Sequence, residues 1–95
     1  MPDVFAALGD ATRRQLLEEV SARGSATATQ LAAELPITRQ AVTKHLHVLA
    51  DAGLVRAERA GRETRYAPAA APLSDATGWI DKLAALQRAA ERRAR

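Results

Sequence analysis

Between Thr27 and Gly53 the chain carries two helical patterns separated by a single proline, and this spacing constrains the fold more than any other feature of the sequence. Thr27-Ala28-Thr29-Gln30 fits a capping box: the Thr27 hydroxyl accepts from a first-turn amide while the Gln30 side chain reaches back to the cap amide. Leu31 and Leu35 point inward from the helix that follows. Pro36 ends it, because the residue before a proline is pushed out of the helical region. Thr38 caps a second helix over about 39–52, with Val42, Leu46 and Leu49 as its inward stripe, Ala41, His45 and Ala52 beside them, and Gly53 as its stop. Two short helices joined this tightly form a helix-turn-helix.

The flanking chain completes an outline that is α+β and mostly α. Val4, Phe5 and Leu8 mark a short first helix that stops at Gly9. Asp10 caps a second over about 11–23, whose stripe is Leu16, Leu17 and Val20 and whose stop is Gly24. After Gly53 the apolar period changes from 3.6 to 2, and residues 54–59 and 62–67 read as a two-stranded hairpin turning at Ala60-Gly61. Pro68 and Pro72 bracket an alanine-rich connector. Ser74 or Asp75 is expected to cap a last helix reaching about residue 92, with Trp79, Ile80, Leu83, Leu86 and Ala90 on one stripe. Gly78 sits awkwardly there, since a glycine inside a helix costs roughly 1 kcal/mol against alanine. Either the helix starts near it or a close backbone approach needs it.

At 95 residues the chain has length for one domain, 1–95. Its 47% apolar content overstates the core, because 23 of those residues are alanine. So few large apolar side chains favour a partner subunit that shares apolar surface, and an unpartnered stripe containing Trp79 would be a large exposed patch. Absence of cysteine excludes disulfide frameworks, thiolate nucleophiles and zinc sites built on sulfur. No apolar run approaches the roughly 20 residues of a membrane span, and the start of the chain lacks the basic and apolar blocks of a signal peptide. We therefore expect a cytoplasmic protein with no membrane partner and no cofactor.

Charge is placed unevenly: residues 1–37 hold three basic and five acidic side chains, residues 38–95 eleven and six. With Val42, Leu46 and Leu49 inward, the outward arc of the 39–52 helix carries Thr38, Arg39, Gln40, Thr43, Lys44 and His47, with no acid before Asp51. Arginine pairs bidentately with guanine and glutamine with adenine, so this face suits the major groove of double-stranded DNA. The hairpin adds Arg56, Arg59, Arg62 and Arg65 against Glu58 and Glu63, as a wing on flanking phosphates or the minor groove requires. Arg88, Arg92, Arg93 and Arg95 form a basic tail expected to add only non-specific attraction.

Several stretches carry a family resemblance: Leu8-Gly9-Asp10 with Thr12-Arg13-Arg14-Gln15-Leu16-Leu17, then Leu31-Ala32, then His45-Leu46, Leu49 and Ala52-Gly53-Leu54-Val55, and finally Gly61-Arg62 with Thr64-Arg65-Tyr66. Together these resemble the ArsR family of winged helix-turn-helix bacterial repressors over nearly the whole chain. The resemblance implies a homodimer formed by the first and last helices, an inverted-repeat operator, and repression relieved by an effector. It assigns Val4, Phe5, Leu8, Trp79, Ile80, Leu83 and Leu86 to the dimer seam and the face from Thr38 to His47, with the wing arginines, to DNA. Many members sense metal through cysteines near the start of the third helix or through ligands on the last. Here Ser25-Ala26-Thr27-Ala28-Thr29 occupies the first position and the last helix has no histidine or cysteine, which places the chain in the non-metal branch.

His45 and His47 are the only histidines, and two residues apart on a helix they point about 200° from each other, so one chain cannot clamp a metal with both. His45 reads as packing or capping. A module that binds protein through the Trp79 helix or the hairpin is the competing interpretation, and it requires no acid-free face on the 39–52 helix. An enzyme is disfavoured, since no carboxylate pair or Ser-His arrangement falls at catalytic spacing. The residues name no inducer, operator sequence or controlled gene.

Overall fold

The computed structural model describes residues 3–94; Met1 and Pro2 of the leader reading and Arg95 of the basic tail lie outside them. Four of the five helices start where a short polar side chain accepts a first-turn amide. In α1 (Val4–Leu8) this is Asp3, in α2 (Ala11–Arg23) Asp10, in α3 (Ala28–Ala32) Thr27 and in α4 (Arg39–Asp51) Thr38. The capping box at Thr27 and Gln30 is present in both directions, at 3.1 and 2.9 Å. The Asp10 carboxylate accepts from the Arg13 amide at 3.0 Å, and that bond above all holds its carboxyl below the usual carboxylate range. The stabilisation from a lowered folded-state value is fully present above the unfolded-state value and is lost as pH falls through the folded-state value. Unfolding by urea is therefore expected to show a shallower loss of stability between about pH 5 and pH 3 in Asp10→Asn than in the natural chain.

Helix α3 is shorter than the sequence pattern indicates. It stops at Ala32, and residues 33–37 form turns in which the Glu34 amide donates to Leu31 and the Ile37 amide to Leu35. The restriction imposed by Pro36 thus propagates back through Leu35, which still packs against the core. At the other end, α4 closes in a Schellman motif. Gly53 adopts φ 77°, its amide donates to Ala50 and that of Leu54 to Leu49, and the fully buried Leu49 and Leu54 supply the accompanying apolar contact.

The sheet differs from the expected two strands. Strands β2 (Val55–Ala60) and β3 (Glu63–Pro68) form the hairpin, and a short strand β1 (Ala26–Thr27) pairs antiparallel with β3, giving the order β1-β3-β2. Two residues, the second of them already the cap of α3, carry no period, so β1 is invisible until Tyr66 is placed opposite Ala26. The register pairs Ala60 with Glu63, so the turn is Gly61-Arg62, one residue later than expected, with Gly61 at φ 63°.

Helix α5 (Ala71–Arg93) also corrects the sequence reading. It starts before Ser74 and Asp75, has no side-chain cap, and takes Pro72 into its first turn, where a missing amide hydrogen costs nothing. Gly78 lies inside the helix with open space around it. The core joins Leu16, Leu17 and Val20 of α2, Leu31 of α3, Val42, Leu46 and Leu49 of α4, and Leu54, Val55 and Tyr66. Helix α5 reaches it through Leu73, and Ala76 is the helix's one buried residue. At about 1.5 Å per residue its remaining turns extend well beyond the body, giving overall dimensions of 60 × 25 × 23 Å.

Candidate nucleic-acid interface

Helix α4 lies over the core on Val42, Leu46 and Leu49, all fully buried, which turns Arg39, Gln40, Lys44 and His47 to solvent. Gln40, Thr43, Lys44 and His47 line a shallow groove along its outer surface. Thr43 and His47, now with Arg39, also border a cleft of about 320 Å³ that is lined as well by Arg62, Glu63, Thr64 and Tyr66 of the wing and by Thr27 and Thr29. The helix and the hairpin therefore meet at one concave surface.

Two hydroxyls on this surface have local tasks. Thr38 Oγ1 accepts from the Ala41 amide at 3.1 Å as the α4 cap, and Thr43 Oγ1 donates to the Arg39 carbonyl at 3.0 Å, which leaves Thr43 its lone pairs and methyl for a ligand. Arg39, Lys44 and Arg62 take part in no ion pair among the described residues.

The register divides the wing arginines. Residues directly opposite in an antiparallel pair share a face, so Arg59 lies with Thr64 and Tyr66, whereas Arg56 and Arg65 occupy the reverse face with Glu58. Arg65 donates from Nε and Nη2 to Ser25 Oγ at 3.2 and 3.1 Å, and Arg56 stands 3.8 Å from Glu58. Arg59 folds over the turn, donating to the Gly61 carbonyl at 3.2 Å. Arg62, at the tip, is the wing arginine that joins the α4 cleft. Glu63 also lines the cleft, while in the register it stands opposite Ala60, on the strand face of Glu58 and Arg65.

The end helices divide as well. Phe5, Trp79, Ile80, Leu83 and Leu86 are exposed, four of them by 47–58% and Leu83 by 38%, while Val4 and Leu8 pack against the core. The rings of Phe5 and Trp79 meet edge to face, centroids 5.4 Å apart. No helix among the described residues is long and apolar enough to cross a membrane.

Helix-turn-helix, hairpin and outward face together define a winged helix-turn-helix protein. Comparison with known proteins narrows the class. A helix-turn-helix domain family matches residues 8–58. The chain is 44% identical over 85 residues to the HTH-type transcriptional regulator YuzN of Bacillus subtilis, covering 82% of this chain and 92% of that one. It is 30% identical over 80 residues to the transcriptional repressor SdpR of the same organism, covering 84% and 88%. An ArsR-like transcriptional regulator from Rhodococcus sp. RHA1 superposes with a TM-score of 0.68 at 40% identity, covering 92% of this chain and 89% of that one. The chain belongs to the ArsR family of winged helix-turn-helix transcriptional regulators. It is a DNA-binding regulator of transcription.

Proposed function

We propose that the chain is a homodimeric repressor that reads an inverted-repeat operator and is released by a signal other than a metal. The observation that carries this reading is the acid-free outer face of α4 beside the wing. In this reading the two α4 helices of the dimer enter successive major grooves, where Arg39, Gln40, Thr43 and Lys44 meet base edges, with His47 at the margin and Thr38 presenting the helix start to a phosphate. Arg59 and Arg62 anchor the wing. Arg56 and Arg65, on the reverse face of the sheet, contribute to flanking phosphates. The exposed stripe from Trp79 to Leu86, with Phe5, forms the dimer seam, and Val4 and Leu8 support it from the core side. Absence of cysteine, and of histidine from α5, supports the non-metal signal.

Two substitutions separate base reading from phosphate attraction. Gln40→Ala is expected to weaken binding to the selected operator by about 1–3 kcal/mol and to leave binding to scrambled duplex nearly unchanged. Arg62→Ala is expected to weaken all sequences alike and to lower the slope of log affinity against log salt by about one. Fluorescence anisotropy on both duplexes across a salt series measures each effect, and an equal loss on both duplexes for Gln40→Ala would refute its base-reading role.

A further inference from the structure

Arg13 touches three helices at once. Its amide completes the Asp10 cap of α2, and its guanidinium turns back over the end of α1, where Nε donates to the Ala7 carbonyl at 2.7 Å and Nη2 to the Ala6 carbonyl at 3.3 Å. The remaining nitrogen, Nη1, faces Nδ1 of His45 in the middle of α4 at 3.4 Å. Helix α1 has no basic residue in its own last turn. Of its terminal carbonyls, Ala6 also accepts from the Gly9 amide, Ala7 is served by Arg13, and Leu8 by Arg14, which donates at 2.6 Å.

The contact with His45 differs in kind from the rest of the α4 packing. Val42, Leu46 and Leu49 hold the helix down by apolar burial, which is non-directional, whereas a hydrogen bond requires its donor and acceptor at one distance and angle. The bond between Arg13 and His45 is the one side-chain hydrogen bond that joins α4 to another element among the described residues. An arginine only donates, so Nδ1 must be the bare acceptor and the ring proton must sit on Nε2. Because Gln40, Thr43, Lys44 and His47 share the helix with His45, whatever fixes His45 fixes the angle at which they face a groove.

We infer that Arg13 is a positioning residue for the DNA-reading helix: its guanidinium ties the end of α1 to the middle of α4 and so sets the rotation of α4 on the core. The inference rests on the reading of α4 as the base-contacting helix.

The test uses the full chain, a duplex selected by the wild type from a randomised library, and a scrambled duplex of the same composition. R13K keeps the charge and loses the planar fork, H45L removes the acceptor, and H45N places an amide oxygen near the position of Nδ1. R13K and H45L are each expected to lower the preference for selected over scrambled duplex by about tenfold, and their double variant to be little worse than either alone. H45N is expected to restore the preference to within about threefold of wild type, a rescue that a merely structural role does not produce. Losses that multiply in the double variant, an unchanged preference in R13K, or an H45N no better than H45L would overturn the inference. Nitrogen-15 spectra of the free protein supply a readout without DNA: a bare Nδ1 and a protonated Nε2 on His45 in wild type are expected, and the opposite tautomer would overturn it. Should the wild type select no sequence, the base-reading proposal fails before any variant is made. Amide exchange then decides the link itself, with faster exchange along α4 in R13K supporting it and unchanged exchange overturning it.

Discussion

A chain carrying both Trp79→Glu and Leu83→Glu is expected to be a folded monomer that has lost operator binding. In the single chain these side chains are 54% and 38% exposed, so glutamates there leave the domain's own core intact. In a dimer seam the same glutamates would be buried without partners. Central apolar anchors of an interface commonly carry about 2 kcal/mol or more each, so two such changes weaken association by roughly a thousandfold. Operator affinity falls with it, because an inverted repeat is read by two half-sites held at fixed spacing. Light scattering gives the mass, circular dichroism the helix content, and anisotropy the DNA affinity. A variant that remains dimeric would place the seam elsewhere than on α5.

The second large effect is on stability. Leu46→Ala is expected to cost about 2–5 kcal/mol, because Leu46 is fully buried beneath α4 and its removal leaves a cavity that rigid neighbours fill only in part. A domain of this size holds only about 5–15 kcal/mol in total. With roughly 4–8 °C of Tm per kcal/mol at this length, thermal unfolding moves down by about 8–40 °C. Lys44→Ala, two residues earlier on the exposed side, provides the contrast: its Tm stays within a few degrees of wild type while DNA affinity drops. If Leu46→Ala kept the wild-type Tm, the inward stripe of α4 would be wrongly placed.

Legibility in the sequence followed the range of the interactions concerned. Three helix starts were readable from their caps because a cap is a local event, one side chain meeting an amide three residues on, as at Asp10, Thr27 and Thr38; the first helix was read from its apolar face alone, and its cap, Asp3, was not. The start of α5 was not, since Ala70 offers no side-chain acceptor and the capping types at Ser74 and Asp75 drew the boundary later; Ser74 Oγ instead donates to the Ala70 carbonyl at 3.4 Å. Strand β1 escaped because two residues have no periodicity and its partner lies 40 positions away. The outward face of α4 was legible, as helical spacing alone sorts Val42, Leu46 and Leu49 from Gln40 and Lys44. The division of the wing arginines was not. It depends on which residues form the turn, and a one-residue shift from Ala60-Gly61 to Gly61-Arg62 decides which arginine occupies the tip. Arg13 looked like one basic residue of a family motif. Its link to His45, 32 positions away, emerges only when α1, α2 and α4 are assembled.

Reading of an inverted repeat by a dimer of this chain through α4 is measured by its binding to DNA from upstream of its own gene across about 50–300 mM salt, with mass followed by light scattering. The predicted result is a dimer that prefers one inverted-repeat duplex over random sequence by about a thousandfold or more. A monomer, or a dimer that binds every sequence alike and releases them all by about 200 mM salt, as purely electrostatic attraction does, would contradict it.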